Sequence, residues 1–189
     1  MTAFIILGFL SYLVGSFPTG YWICRWWFGF DITQHGSGNI GATNVARILD
    51  SPKIFVLVFF LDALKAYVVL AIVDAVLQQY CMVAPTHNVV LAYACMVLIG
   101  NAFSIFLGFK GGKGVATTVG IIGYVASFWL VVVFVVCWLI VLAVTKHAFM
   151  ASLGTVYIVT ALYAGYYACP GDFLVYFLLT VCFWLTLRH

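Results

Sequence analysis

Apolar residues dominate six stretches of the chain, at 3–24, 54–77, 89–107, 115–144, 150–168 and 173–187. Polar or glycine-rich segments separate them at 25–53, 78–88, 108–114, 145–149 and 169–172. Four of the runs, 3–24, 54–77, 89–107 and 150–168, have the length of a single membrane helix. The run at 115–144 is too long for one simple span, because thirty helical residues reach roughly 45 Å against a hydrocarbon core of about 30 Å.

Charge decides how that run is divided. With one crossing, Lys110 and Lys113 fall on the opposite side from Lys146. With two crossings and a turn near "GYVAS" (123–127), Arg25, Arg47, Lys53, Lys110, Lys113, Lys146 and Arg188 share one face, leaving Asp74 and Asp172 on the other. Basic residues gather on the cytoplasmic side of membrane proteins. The pattern therefore predicts an all-α polytopic membrane protein, a seven-transmembrane-helix bundle with its N-terminus outside and its C-terminus cytoplasmic. The fourth and fifth helices are expected to be short, about 12–18 residues each. The whole chain, 1–189, reads as one domain.

Composition agrees: 66% of the residues are hydrophobic and 7% charged. Soluble domains are about a quarter charged, so this chain cannot cover itself with a polar surface. The start lacks a basic leader and a small-residue cleavage site, which reads as a retained membrane helix. Cys24, Cys81, Cys95, Cys137, Cys169 and Cys182 form no C-x-x-C pair and read as small buried hydrophobes. Cys81 and Cys169 fall near one membrane face. Histidines at 35, 87, 147 and 189 have no metal-ligand spacing. No metal, cofactor or nucleic-acid partner is expected.

Two glycine runs lie on the predicted cytoplasmic face. In "HGSGNIGATNVAR" (35–47), Gly36, Gly38 and Gly41 satisfy the dinucleotide pattern G-x-G-x-x-G. That pattern works only between a strand and a helix of a βαβ unit, and here both flanks are membrane segments. "GFKGGKGVAT" (108–117) approaches a Walker A loop, but Leu107 stands at its first glycine and Gly114 replaces the Mg²⁺-binding hydroxyl. What survives both failures is physical. Glycines let backbone amides approach an anion, and a helix starting near Val115 behind Lys110 and Lys113 is a phosphate site. Ser37, Asn39, Thr43, Asn44 and Arg47 add hydrogen-bonding groups and charge. Asp62 and Lys65, three apart on one helical face, read either as a structural ion pair or as the floor of the site.

"GSFPTGYWICR" (15–25), "GSGNIGATNVARIL" (36–49), "LDALK" (61–65) and "GFKGGKGVAT" (108–117) resemble the bacterial acyl-phosphate:glycerol-3-phosphate acyltransferases, the PlsY family. The motifs occur in family order over almost the whole chain. The resemblance implies transfer of a fatty acyl group from acyl phosphate to the 1-hydroxyl of glycerol 3-phosphate. The products are 1-acylglycerol 3-phosphate (lysophosphatidic acid) and inorganic phosphate, the first step of phospholipid synthesis. It implies an enzyme in the bacterial inner membrane, monomeric, with a cytoplasmic-face site and the acyl tail lying in the bilayer. Ser37, Arg47 and Lys113 then take catalytic roles. Gly38, Asn39, Thr43, Asn44, Lys110, Gly111, Gly112, Gly114, Lys146, Ser152 and His189 bind substrate. The H-x-x-x-x-D motif of other glycerol-phosphate acyltransferases is absent both from that family and from this chain.

The chain departs from the family pattern in three places. "IGNAFSIF" carries Asn101 and Ser104 where Gly-His and a Pro are usual, and "KHAFMAS" carries Lys146 and Phe149 where Arg and Tyr are usual. The family's basic tail, with its substrate-binding Asn, is expected to be missing after Arg188 and His189. A weakly active phosphate- or lipid-binding relative, or a small anion transporter, are the competing readings.

Overall fold

The computed structural model describes residues 2–81, 87–166 and 173–187, and among these it contains nine α-helices and no strand. Cys169, Asp172, Arg188 and His189 lie outside the described residues. The first apolar run is two helices, α1 (Thr2–Ser16) and α2 (Thr19–Trp27), bent by 45°. Pro18 causes the break, since it offers no N–H and restricts the residue before it. At the break the Phe17 carbonyl accepts from the Thr19 amide at 3.1 Å and from Lys65 Nζ at 2.9 Å.

The segment after α2 makes one 3-10 turn (Ile32–Gln34) and then α3 (Ala42–Leu49). Asp31 caps the turn, its Oδ1 accepting from the Thr33 amide at 2.9 Å and hydroxyl at 2.7 Å. The hydroxyl bond is the largest influence on the Asp31 carboxyl, which is held below the usual carboxylate range. Asp50, in the left-handed region, ends α3. Pro52 then opens α4 (Pro52–Cys81), the position where its missing N–H costs nothing.

After α5 (His87–Ala102) and a 3-10 turn (Ile105–Leu107), the long apolar run is divided as its charges predict. It forms α6 (Val115–Val125) and α7 (Phe128–Thr145) around a break at Ala126–Ser127. Ser127 caps α7 by accepting from the Leu130 amide at 3.3 Å. α8 (Ala148–Tyr166) and α9 (Phe173–Leu187) follow. Among the described residues three helices are long and apolar enough to cross a membrane alone, or four when the bent α1–α2 pair counts as one span, and α6, α8 and α9 are shorter apolar helices.

Backbone packs against backbone at two crossings. A Cβ on Gly15 or Gly100 would collide with Val97 or Tyr12 carbonyl oxygens, so α1 and α5 lie in direct contact. Gly120 of α6 does the same against the Ala63 carbonyl of α4. Small residues replace a hydrophobic driving force where helices meet in lipid. The main core joins Leu70, Val97, Ile121, Ile122, Phe134 and Leu178 from α4 to α7 and α9. A second cluster, Ile23, Cys24, Ile32, Ile40, Val45 and Val58, roots the glycine segment on α2 and α4.

Outside these cores the apolar surface faces outward, including Val136, Leu139, Ile140 and Val144 on α7. The cysteines follow the same logic. Cys24 and Cys182 are buried, but Cys95 is exposed and Cys137 half-buried. The expectation of uniform burial fails because lipid is as apolar as a protein core.

Candidate active site

One cavity of about 310 Å³ lies where three segments distant in sequence meet. It is lined by Ser37, Asn39, Gly41, Ala42, Thr43, Asn44 and Arg47, by Gly112 to Thr117, and by Ala148 and Ser152. Phe55, Phe59 and Asp62 of α4, Asn101 of α5 and Trp138 of α7 complete the wall.

The first glycine run is shaped by Asn44. Its Oδ1 accepts from the Ser37 amide at 3.0 Å, and its Nδ2 donates to the His35 carbonyl at 3.0 Å and the Asn39 carbonyl at 2.9 Å. The side chain is thus consumed in folding the segment. Asn39 Oδ1 accepts from the Gly41 amide at 2.8 Å, a local turn that delivers the chain into α3. No side chain caps α3, so its first amides, at Ala42 and Thr43, open on the cavity. Gly38 takes φ +69°, a left-handed conformation that suits glycine, and helps form the turn without lining the cavity.

The second glycine run is anchored from below. The Gly112 amide donates to the Asn101 carbonyl at 2.9 Å, and a Cβ on Gly111 would strike the same carbonyl. Gly114, at φ +92°, is the N-cap of α6 and supplies no side-chain cap. The first backbone bond of α6 runs from the Thr118 amide to the Gly114 carbonyl at 2.8 Å. The amides of Val115, Ala116 and Thr117 precede it, and all three residues line the cavity. Two uncapped helix starts therefore face one space, each a favourable place for an anion.

Arg47 and Lys113 line that space together. Burial, and then the positive charge of Arg47, push the Lys113 ammonium below the ordinary lysine range. Two cations held close in a partly buried site cost free energy that a bound phosphate removes. Lys110, by contrast, is exposed and outside the lining, as is Lys146, which takes a left-handed conformation at the end of α7.

The floor is a polar network reached from α4. Asp62 Oδ1 accepts from Thr19 Oγ1 at 2.9 Å and pairs with Lys65 Nζ at 2.7 Å. Lys65 also donates to Asn101 Oδ1 at 3.3 Å, as well as to Phe17. The two readings of this pair divide between its members. Lys65 clamps the α1–α2 break and orients Asn101, while Asp62 lines the cavity. Above it runs an aromatic wall, with Phe55 stacked on Phe59 at 5.7 Å and on Trp138 at 5.4 Å. Trp138 Nε1 donates to Ser152 Oγ at 3.2 Å, and that hydroxyl donates to the Ala148 carbonyl at 2.9 Å.

Of the residues singled out from sequence, Ser37, Asn39, Thr43, Asn44, Arg47, Gly112, Lys113, Gly114 and Ser152 meet at the cavity. Gly38, Lys110, Gly111 and Lys146 do not line it, and His189 lies outside the described residues. Phe55, Phe59, Thr117 and Trp138 were not anticipated as lining residues. The signal for the first two was available: with Asp62 they recur at helical spacing along α4 towards the basic face.

A family model described as glycerol-3-phosphate acyltransferase matches residues 5–189. A glycerol-3-phosphate acyltransferase of Wolbachia pipientis subsp. Culex pipiens is 38% identical over 191 residues, covering 100% of this chain and 92% of that one. One from Synechococcus sp. is 43% identical over 144 residues, covering 76% of this chain and 66% of that relative. The structure is similar to crystal structures of PlsY (YgiH), an integral membrane glycerol 3-phosphate acyltransferase. The glycerol 3-phosphate form has a TM-score of 0.82 at 28% identity, covering 99% of this chain and 88% of the other. The lysophosphatidic acid form has a TM-score of 0.81 at 27% identity, with the same coverage.

Proposed function

This chain belongs to the glycerol-3-phosphate acyltransferase family, and from that premise we propose that it acylates the 1-hydroxyl of glycerol 3-phosphate with acyl phosphate as donor. The observation that carries the reading is the convergence of Arg47, Lys113 and two uncapped helix starts on one cavity. Both substrates are phosphates, and each needs amides and positive charge. The donor is a mixed anhydride and already activated, so the protein has to position the hydroxyl and neutralise charge. The hydroxyl oxygen attacks the acyl carbonyl, the C–O bond to phosphate breaks, and the hydroxyl proton leaves on a phosphate oxygen. Arg47, Lys113 and the amides of Val115 to Thr117 stabilise the charge that collects on the departing phosphate. Ser37, Asn39 and Thr43 hold the phosphate oxygens, with Asn44 keeping their loop in shape. Lys110 and Lys146, outside the cavity, attract anionic substrates towards it. The acyl chain lies along Phe55, Phe59 and Trp138.

The same convergence supports seven crossings. Residues 112–114 precede α6, 115–117 begin it and residues 148–152 begin α8, so α6 and α7 together leave and return to one end of the bundle. That end carries the basic residues, which supports a cytoplasmic-face site in the inner membrane of a bacterium. The enzyme acts as a monomer and a single domain. Purified protein is to be given glycerol 3-phosphate with acyl phosphate or, separately, acyl-CoA, following lysophosphatidate and released phosphate. Product from acyl phosphate alone is expected. Product from acyl-CoA alone overturns the donor assignment, and phosphate binding without product from either marks an inactive relative.

A further inference from the structure

Asn101, in the last turn of α5, is 6% exposed and lines the cavity. Its backbone carbonyl holds the Gly112 amide at 2.9 Å, so the residue is tied to the glycine loop whatever its side chain does. The side-chain amide lies against the same loop. Its Nδ2 stands 3.2 Å from the point that a Cβ on Gly112 would occupy and 3.7 Å from that of a Cβ on Gly114. Those two glycines flank Lys113.

Lys65 sets which way this amide faces. An ammonium has three donors and no acceptor. Lys65 Nζ spends them on Asp62 Oδ1 at 2.7 Å, the Phe17 carbonyl at 2.9 Å and Asn101 Oδ1 at 3.3 Å. Only the oxygen of the amide can meet that group, which leaves Nδ2 to the loop. Lys65 has no donor left for a ligand, whereas Asn101 Nδ2 has two N–H groups and no hydrogen-bond partner among the described residues. Nor is it sealed off. The enclosed side-chain polar atoms without a partner are Ser16 Oγ, Thr117 Oγ1 and Thr155 Oγ1, so Nδ2 keeps accessible surface where Asn101 lines the cavity. A ligand acceptor can satisfy it. The neighbouring groups select an anion, since Lys113 and the uncapped start of α6 line the same wall.

We infer that Asn101 Nδ2 donates to a phosphate oxygen held against the Lys113 loop, the phosphate being that of acyl phosphate or of glycerol 3-phosphate. This rests on the acylation reading above and deepens it, by adding to Arg47 and Lys113 a neutral donor that does not titrate.

Calorimetry on the full-length protein in detergent, with inorganic phosphate as the probe, reads the contact without turnover, and thermal unfolding checks that each variant is folded. Asn101→Leu should weaken phosphate binding about tenfold or more. Asn101→Asp still accepts from Lys65 but donates nothing, and should weaken binding at least as much. Asn101→His keeps one nitrogen to accept and one to donate, and should recover most of the loss. If the histidine variant does not fold, Asn101→Gln serves for the same comparison. Unchanged binding in Asn101→Leu overturns the inference, as does a wild type that binds no phosphate. Full binding in Asn101→Asp also overturns it, because the side chain would then be only a tie for Lys65. A loss that neither histidine nor glutamine repairs does the same. In turnover, a raised KM for glycerol 3-phosphate puts the contact on the acceptor, and a raised KM for acyl phosphate puts it on the donor. A lower kcat in Asn101→Leu with both KM values unchanged moves the contact to the acyl carbonyl and overturns the phosphate assignment. A wild type that binds phosphate through Asn101 but forms no product sinks the acylation reading and leaves this contact standing.

Discussion

Lys113 shows how a single residue links sequence to chemistry. Burial and the Arg47 charge hold its ammonium below the ordinary lysine range, so it loses its proton at a lower pH than an exposed lysine. In the proposed role it is the cation that binds phosphate, and the cation is present only below that pKa. KM for glycerol 3-phosphate should therefore rise as pH climbs through the alkaline range, before a surface lysine would titrate. Lys113→Arg should move the rise to higher pH, because a guanidinium stays charged. A pH profile identical in the two enzymes would remove Lys113 from the phosphate contact. The place of Lys113 at the cavity was legible from its position between glycines before a helix. That of Asn44 was only partly so. Composition marks an amide as a hydrogen-bonding group, but not that its bonds to Ser37, His35 and Asn39 are spent within the loop.

At the scale of elements, α6 owes its position to Gly120. Its backbone lies against the Ala63 carbonyl, and that contact carries Val115, Ala116 and Thr117 to the cavity. Gly120→Ala should lower stability by about 1–3 kcal/mol through overpacking and reduce turnover, as α6 is forced off α4. Gly8→Ala is the control, since a Cβ there meets nothing within 4 Å. Thermal unfolding in detergent and kcat/KM check both, and equal behaviour of the two variants would deny Gly120 its role. The division of 115–144 was readable from charge, and it appears at Ala126–Ser127. The Pro18 break in the first run was not legible, because hydropathy is blind to a lost amide. Neither was the bond from Lys65 to the Phe17 carbonyl at that break, which depends on a partner 48 positions away.

The whole molecule depends on which loops share a side. Lys110 and Lys146 are both exposed and flank the α6–α7 pair. In a variant free of native cysteines, Lys110→Cys and Lys146→Cys should react with an impermeant thiol reagent from the same side of a sealed vesicle. Labelling from opposite sides would mean one crossing and a different site. The class of fold followed from composition, and the meeting of three loops followed from counting positive charges. The cavity's floor did not, because it is built by α4 and α5 side chains that a hydropathy pattern reports only as membrane.

The 11 residues of α6 have a consequence for the lipid around them. A helix of that length rises about 16 Å, roughly half the thickness of a hydrocarbon core. If it crosses, the bilayer beside it has to thin or the protein has to sink, a hydrophobic mismatch with an elastic cost. Gly114 and the cavity it lines then sit below the general level of the headgroups, in a dimple of the leaflet. A water-soluble acceptor descends into that dimple while an acyl donor stays at its own depth. The two reactants meet without the lipid leaving the membrane.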